Sequence, residues 1–112
     1  MDGQLSIFDW MPDARADSYP AIDTITEAEA AAIVGQALGL TFRYNDFFKQ
    51  WETEKGPLRL HISYSHYTCR DLEGILFIGV GWSNHRRNEG GSAPRDSIQD
   101  AIAYFERRLN TA

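Results

Sequence analysis

The sequence predicts an α+β fold, a two-layer α-β-β-β-α domain in which a three-stranded antiparallel sheet carries two helices on one face. Three observations predict it. Residues 26–38 and about 96–109 repeat apolar side chains at helical spacing. Between them, Leu58, Leu60, Ile62 and Tyr64 alternate with Arg59, His61, Ser63 and Ser65, the period of a half-buried strand. The chain has 112 residues, room for one domain with one modest core.

In chain order, residues 1–24 read as an apolar island followed by a connector, and residues 25–112 as the single domain. Residues 9–24 contain Pro12, Pro20 and four aspartates without any period, which marks irregular backbone. Thr26 and Glu29 have the spacing of a capping box, with Ile25 placed to staple against Ala30. Ala30, Ile33, Val34, Ala37 and Leu38 then form the buried stripe, and Gly39 ends the helix. After the turn at Asn45-Asp46, residues 47–54 are expected to be a strand, with an aromatic helical turn as the alternative, followed by a turn at Glu54-Lys55-Gly56-Pro57. The alternating segment from Leu58 is the next strand, and Arg70–Gly74 the next turn. Ile75–Trp82 is almost wholly apolar and is expected to be the central or most buried strand, with Gly79 and Gly81 on one face. Asn84–Pro94 is polar and glycine-rich, which predicts a loop. Ser97 and Asp100 then open the second helix, whose stripe is Ile98, Ile102, Phe105 and Leu109.

Composition narrows the function. Hydrophobic residues are 43% and charged residues 24%, an ordinary globular balance. The lone Cys69 excludes an internal disulfide and a multi-cysteine zinc site. No cofactor and no metal are expected. No apolar run approaches the roughly 20 residues of a membrane span, and no secretory leader is visible, so the expected location is the cytoplasm without membrane contact. The net charge is −5, which argues against direct nucleic-acid binding. The excess acid is not evenly spread. Eight acids meet three bases through Gln50, whereas eight meet eight from Trp51 onward.

Several constellations could carry chemistry. Gly90-Gly91-Ser92 ahead of a helix could cradle an anion, with His85, Arg86, Arg87 and Arg95 nearby in sequence. That order fits neither of the glycine-rich phosphate motifs, so the segment is first expected to be a loop whose arginines are solvated or pair with Glu89 and Asp96. The alternative is arginines offered to a partner's carboxylates or phosphates. His66, Cys69 and Asp71 supply a thiol, a base and an acid, but nothing in the sequence lowers the thiol pKa. His61, His66 and His85 are the candidates for a metal site, but His61 and His66 differ by an odd number along one strand and so point to opposite faces. Each is expected to be a sheet-surface or partly buried histidine instead. If Leu58, Leu60, Ile62 and Tyr64 face the helices, then Arg59, His61, Ser63, Ser65 and Tyr67 share the open face, a mixture suited to protein contact.

The α-β-β-β-α order is shared with the double-stranded RNA-binding domain. Here the last helix begins Pro94-Arg95-Asp96-Ser97-Ile98-Gln99-Asp100, one base against two acids, where that module places lysines. Gln4-Leu5-Ser6-Ile7-Phe8 resembles the pentapeptide by which bacterial replication and repair proteins bind the sliding clamp, with Ile7 where leucine is usual. The resemblance implies that Gln4 hydrogen-bonds while Leu5 and Phe8 fill an apolar cleft. The opposing expectation is that the island docks on its own core. In size, acidity and layout the chain is also similar to the accessory proteins of phages and mobile elements, anti-CRISPR proteins among them. That likeness implies a non-catalytic protein that engages a nucleic-acid-processing protein of the host.

The expected function is therefore binding of another protein, not catalysis. Asp13, Asp17, Asp23, Glu27 and Glu29 would supply electrostatic attraction. Tyr67, Arg86 and Arg87 would supply contacts from the folded domain, and Gln4, Leu5 and Phe8 contacts from the island. The alternatives are a sliding-clamp ligand acting through residues 4–8, and a small enzyme or anion-binding module built on His66, Cys69 and Arg87.

Overall fold

Helix α1 (Glu27–Leu38) starts where its capping box closes. The Thr26 hydroxyl accepts from the Glu29 amide at 3.1 Å, and the Glu29 carboxylate accepts from the Thr26 amide at 2.8 Å. Gly39 ends the helix in the left-handed region, at φ 72°. The computed structural model describes residues 19–111. After α1 come β1 (Arg43–Asn45), β2 (Gln50–Lys55), β3 (Leu58–His66), β4 (Leu76–Asn84), β5 (Glu89–Arg95) and helix α2 (Ile98–Thr111). The Ser97 hydroxyl caps α2 by accepting from the Asp100 amide at 3.1 Å.

The α+β class holds, but the sheet has five strands and not three. They lie in the order β1-β2-β3-β4-β5, every neighbour antiparallel. One addition is β5, in the segment expected to be a loop. Its glycines have poor strand propensity, but Asn84 builds the turn that folds this segment back onto β4. The Asn84 side-chain oxygen accepts from the Arg86 amide at 3.0 Å and the Arg87 amide at 3.2 Å, and Asn88 takes φ 56°. The other addition is β1. The expected strand over residues 47–54 begins only at Gln50, because Asn45 draws Phe47 and Phe48 into a turn.

The core lies between one sheet face and both helices. Leu58, Leu60 and Ile62 of β3 are buried, as the alternation predicted, and so are Ile78 and Val80 of β4. Ala30, Ala31 and Val34 of α1 and Ile98, Ala101, Ile102 and Phe105 of α2 cover them. The packed unit extends upstream of residue 25. Ile22 is buried in the core, and its carbonyl accepts from the Tyr64 hydroxyl at 2.8 Å.

Candidate functional site

The sheet face away from the helices is open and polar, and its register aligns one cross-strand row. Arg43 stands opposite Glu52, Glu52 opposite His61, His61 opposite Gly81 and Gly81 opposite Ser92. The Glu52 carboxylate accepts from Asn45 Nδ2 at 3.0 Å and Gln50 Nε2 at 2.6 Å. On the parallel row, Arg59 grips Glu54 through Nε at 3.2 Å and a terminal nitrogen at 2.9 Å. The His61 imidazole lies across Gly81, where an added Cβ would overlap the ring. Gly81 is therefore a seat for that ring.

Burial pushes the His61 pKa down, and the Glu52 charge opposes it in part. Burial would raise the Glu52 pKa, but hydrogen bonds from Gln50 and Asn45, with the charges of Arg59 and His61, hold it below the usual value. The unfolded chain therefore protonates His61 more readily than the folded one. The His61 contribution to stability is full above pH 6.5, the ordinary histidine value, and is lost as the pH drops below it. The Glu52 contribution is lost only later, as the pH falls below the ordinary carboxylate value of 4.5. Urea unfolding at pH 7.5 and 5.5 should show a loss of stability at the lower pH that is smaller in His61→Gln.

A second feature lies at one end of the sheet, in the turn between β1 and β2. Between β1 and β2 the Asn45 side-chain oxygen accepts from the amides of Phe47 at 2.9 Å and Phe48 at 3.2 Å. The Lys49 amide donates to the Asn45 carbonyl at 2.8 Å, and Lys49 itself takes φ 58°. This turn holds two phenylalanines in solvent, Phe47 83% and Phe48 58% exposed, their rings edge to face with centroids 4.8 Å apart. Tyr44 beside them is also exposed and packs edge-on against Trp51 at 5.3 Å. An open depression of about 610 Å³ next to the tip is lined by Arg43, Tyr44, Asp46, Phe47, Glu52 and Glu54, among others.

The sequence-derived candidates fall into separate groups. Gln4, Leu5, Phe8, Asp13 and Asp17 lie outside the described residues. Asp23 is exposed, in a recess it shares with Ile75 and Asp96. Glu27 and Glu29 are occupied within the fold. Glu29 closes the helix cap, and Glu27 accepts from Trp51 Nε1 at 3.1 Å and the Tyr64 amide at 2.7 Å. The Tyr67 ring rests against Phe77 at 4.6 Å, and its hydroxyl donates to Asp96 at 3.2 Å. It lines a second open depression, about 530 Å³, with His66, Cys69, Phe77 and Ser92. Arg86 and Arg87 are exposed in the β4–β5 turn, at the far end of β3 from His66, since Leu58 pairs with Asn84 and His66 with Leu76. The fold thus does not bring His66, Cys69 and Arg87 together. Among the described residues no three His, Cys, Asp or Glu side chains are grouped to hold a metal ion, and no helix is long and apolar enough to cross a membrane.

Aromatics favour strands, which makes a strand the first expectation at Phe47 and Phe48 and a turn the second, and the structure has the turn. A usable signal was present: an Asn-Asp turn followed at once by two aromatics cannot direct both to one sheet face. No family model matches this chain, and neither a curated protein nor a solved structure matches it.

Proposed function

We propose that this chain is a non-catalytic binding module whose partner is another protein, one that handles nucleic acid. The observation that carries the protein-binding part is the turn at Asn45, where the side-chain oxygen accepts from two amides, the carbonyl accepts from a third, and Lys49 takes a positive φ, with Phe47 and Phe48 left in water. Large aromatics held rigidly in solvent are the side chains that dominate protein–protein affinity, because burying them releases much water at little entropic cost. The neighbouring row of Arg43, Glu52 and His61 supplies a polar rim. Asp23 and the exposed Arg86 and Arg87 supply long-range attraction at other places on the surface. The nucleic-acid-handling character of the partner rests on residues 4–8 and their likeness to the clamp-binding pentapeptide.

The experiment is comparative capture from a bacterial lysate treated with nuclease. Wild-type protein, the double variant Phe47→Ala/Phe48→Ala, and the triple variant Gln4→Ala/Leu5→Ala/Phe8→Ala are used side by side. The tip variant should unfold within about 0.5 kcal/mol of wild type, since neither ring is buried. It should lose a nucleic-acid-handling protein that wild type retains, with affinity reduced by about 100-fold or more if each ring contributes as a hot spot. Capture of the same proteins by wild type and tip variant would refute the tip. Loss of the sliding clamp in the triple variant alone would favour the clamp-ligand alternative.

A further inference from the structure

We propose that β5 is a self-complementary edge that pairs with β5 of a second copy of this chain, joining two sheets into one. β5 ends the sheet, and its residues 89–92 are exposed. Which of its backbone groups are free follows from the ladder. The Tyr67 amide donates to the Ile75 carbonyl at 3.0 Å, which continues the β3–β4 register and assigns the odd residues of β4 to β3. The even residues of β4 therefore bond to β5, through Glu89, Gly91, Ala93 and Arg95. The amides of Gly90 and Ser92, and the carbonyls of Gly90, Ser92 and Pro94, point away from the sheet. Pro94 agrees, because a residue without an N–H is tolerated on the outward side. The Pro94 carbonyl agrees too, since it accepts from a guanidinium nitrogen of Arg95 at 2.7 Å.

An exposed row of donors and acceptors that β4 does not use is a template for another strand, and the Pro94 carbonyl keeps a second lone pair for it. Centred on Ser92, an antiparallel second copy sets Ser92 against itself, Gly90 against the partner's Pro94, Gly91 against the partner's Ala93, and Glu89 against the partner's Arg95. The two serines exchange two hydrogen bonds, and each outward Gly90 amide meets a Pro94 carbonyl. The seam residues are small, so no side chain holds the backbones apart. The outer pairs are of opposite charge at both ends of the seam, whereas like charges would repel there. That two-fold match of sign is the reason to name a second copy as the occupant.

Sedimentation velocity of the full chain over a range of concentrations tests this. Wild type should show a reversible dimer. Ser92→Pro removes an amide that β4 does not use, so the monomer should fold normally while dimerisation weakens at least about tenfold, two hydrogen bonds being lost. Arg95→Glu should also dissociate the dimer, and Glu89→Arg/Arg95→Glu, which swaps the charges, should restore it. Circular dichroism on each variant separates loss of pairing from loss of fold. A wild-type chain that stays monomeric at every concentration overturns the proposal, whatever strand lies on the edge. So does a dimer that both Ser92→Pro and Arg95→Glu leave intact.

Discussion

Glu27→Ala lowers stability by about 3 kcal/mol, a large effect for a side chain only half buried. The cause is a gap in the sheet. On β3 the even residues bond toward β2, yet β2 begins at Gln50 and its last partner on this side is Trp51, opposite Ile62. Tyr64 lies beyond that point, its amide aimed at a strand that has already turned away through Lys49. One Glu27 oxygen accepts from this amide at 2.7 Å and the other from Trp51 Nε1 at 3.1 Å, so the carboxylate fills the place of the missing strand. Hydrogen bonds to a charged group contribute about 1.5–3 kcal/mol each, and partial solvent access lowers the total. Glu27→Gln keeps one accepting oxygen but turns its amide toward a donor, so it should recover less than half of the loss. Urea unfolding with an unchanged m-value checks both. A second readout comes from Tyr64. Burial raises its pKa above the usual 10.0, and the charge of Glu27 raises it further, ahead of Glu29 and Asp23. Ultraviolet titration should therefore find Tyr64 ionising at lower pH in Glu27→Ala than in wild type.

The same residue shows where sequence reading stopped. Glu27 looked like a solvated acid in an acidic segment, because nothing in its neighbours along the chain discloses an amide on residue 64. The helices and the central strands were legible, since burial of one face writes a period into the sequence: Ile98, Ile102 and Phe105, or Leu58, Leu60 and Ile62. β5 left no such mark. Its residues on the helix side are Glu89, Gly91, Ala93 and Arg95, of which none is a large apolar side chain. Gly91 is small for a reason that only the fold supplies, as the Trp82 indole spreads over it, 3.1 Å from where a Cβ would stand. Trp82 is in turn covered by Arg108, whose guanidinium sits 5.0 Å from that ring and 5.5 Å from Tyr104. Polar residues thus do part of the covering at this edge. At the candidate site, the open face was visible as the polar half of an alternation, with His61 and Arg59 correctly placed on it. The Phe47–Phe48 tip was hidden because one side-chain oxygen of Asn45 overrides the strand preference of the residues that follow.

Phe105→Ala should cost about 4 kcal/mol, the largest effect of any single substitution considered. Phe105 projects from the middle of α2 and has no exposed surface. Its ring centroid is 5.9 Å from that of Phe42, which leads into β1, and 5.6 Å from that of Tyr104. Truncation removes the packing that ties α2 to the segment between α1 and β1, and the rigid sheet cannot close over the space left behind. Domains of this size have roughly 5–15 kcal/mol of total stability, so the variant should be partly unfolded near body temperature. Phe105→Leu, which keeps four of the side-chain carbons, should cost about half as much or less. Scanning calorimetry on both gives the ordering, and it also bears on function. Asn45 and the Phe47–Phe48 tip follow Phe42 directly in the chain, so a loosened Phe42 would free the hairpin that presents them. In Phe105→Leu, partner capture should then weaken even though every residue of the tip is unchanged. In that event the aromatic core and the exposed aromatic tip would act as one mechanical unit, the first holding rigid what the second offers to a partner.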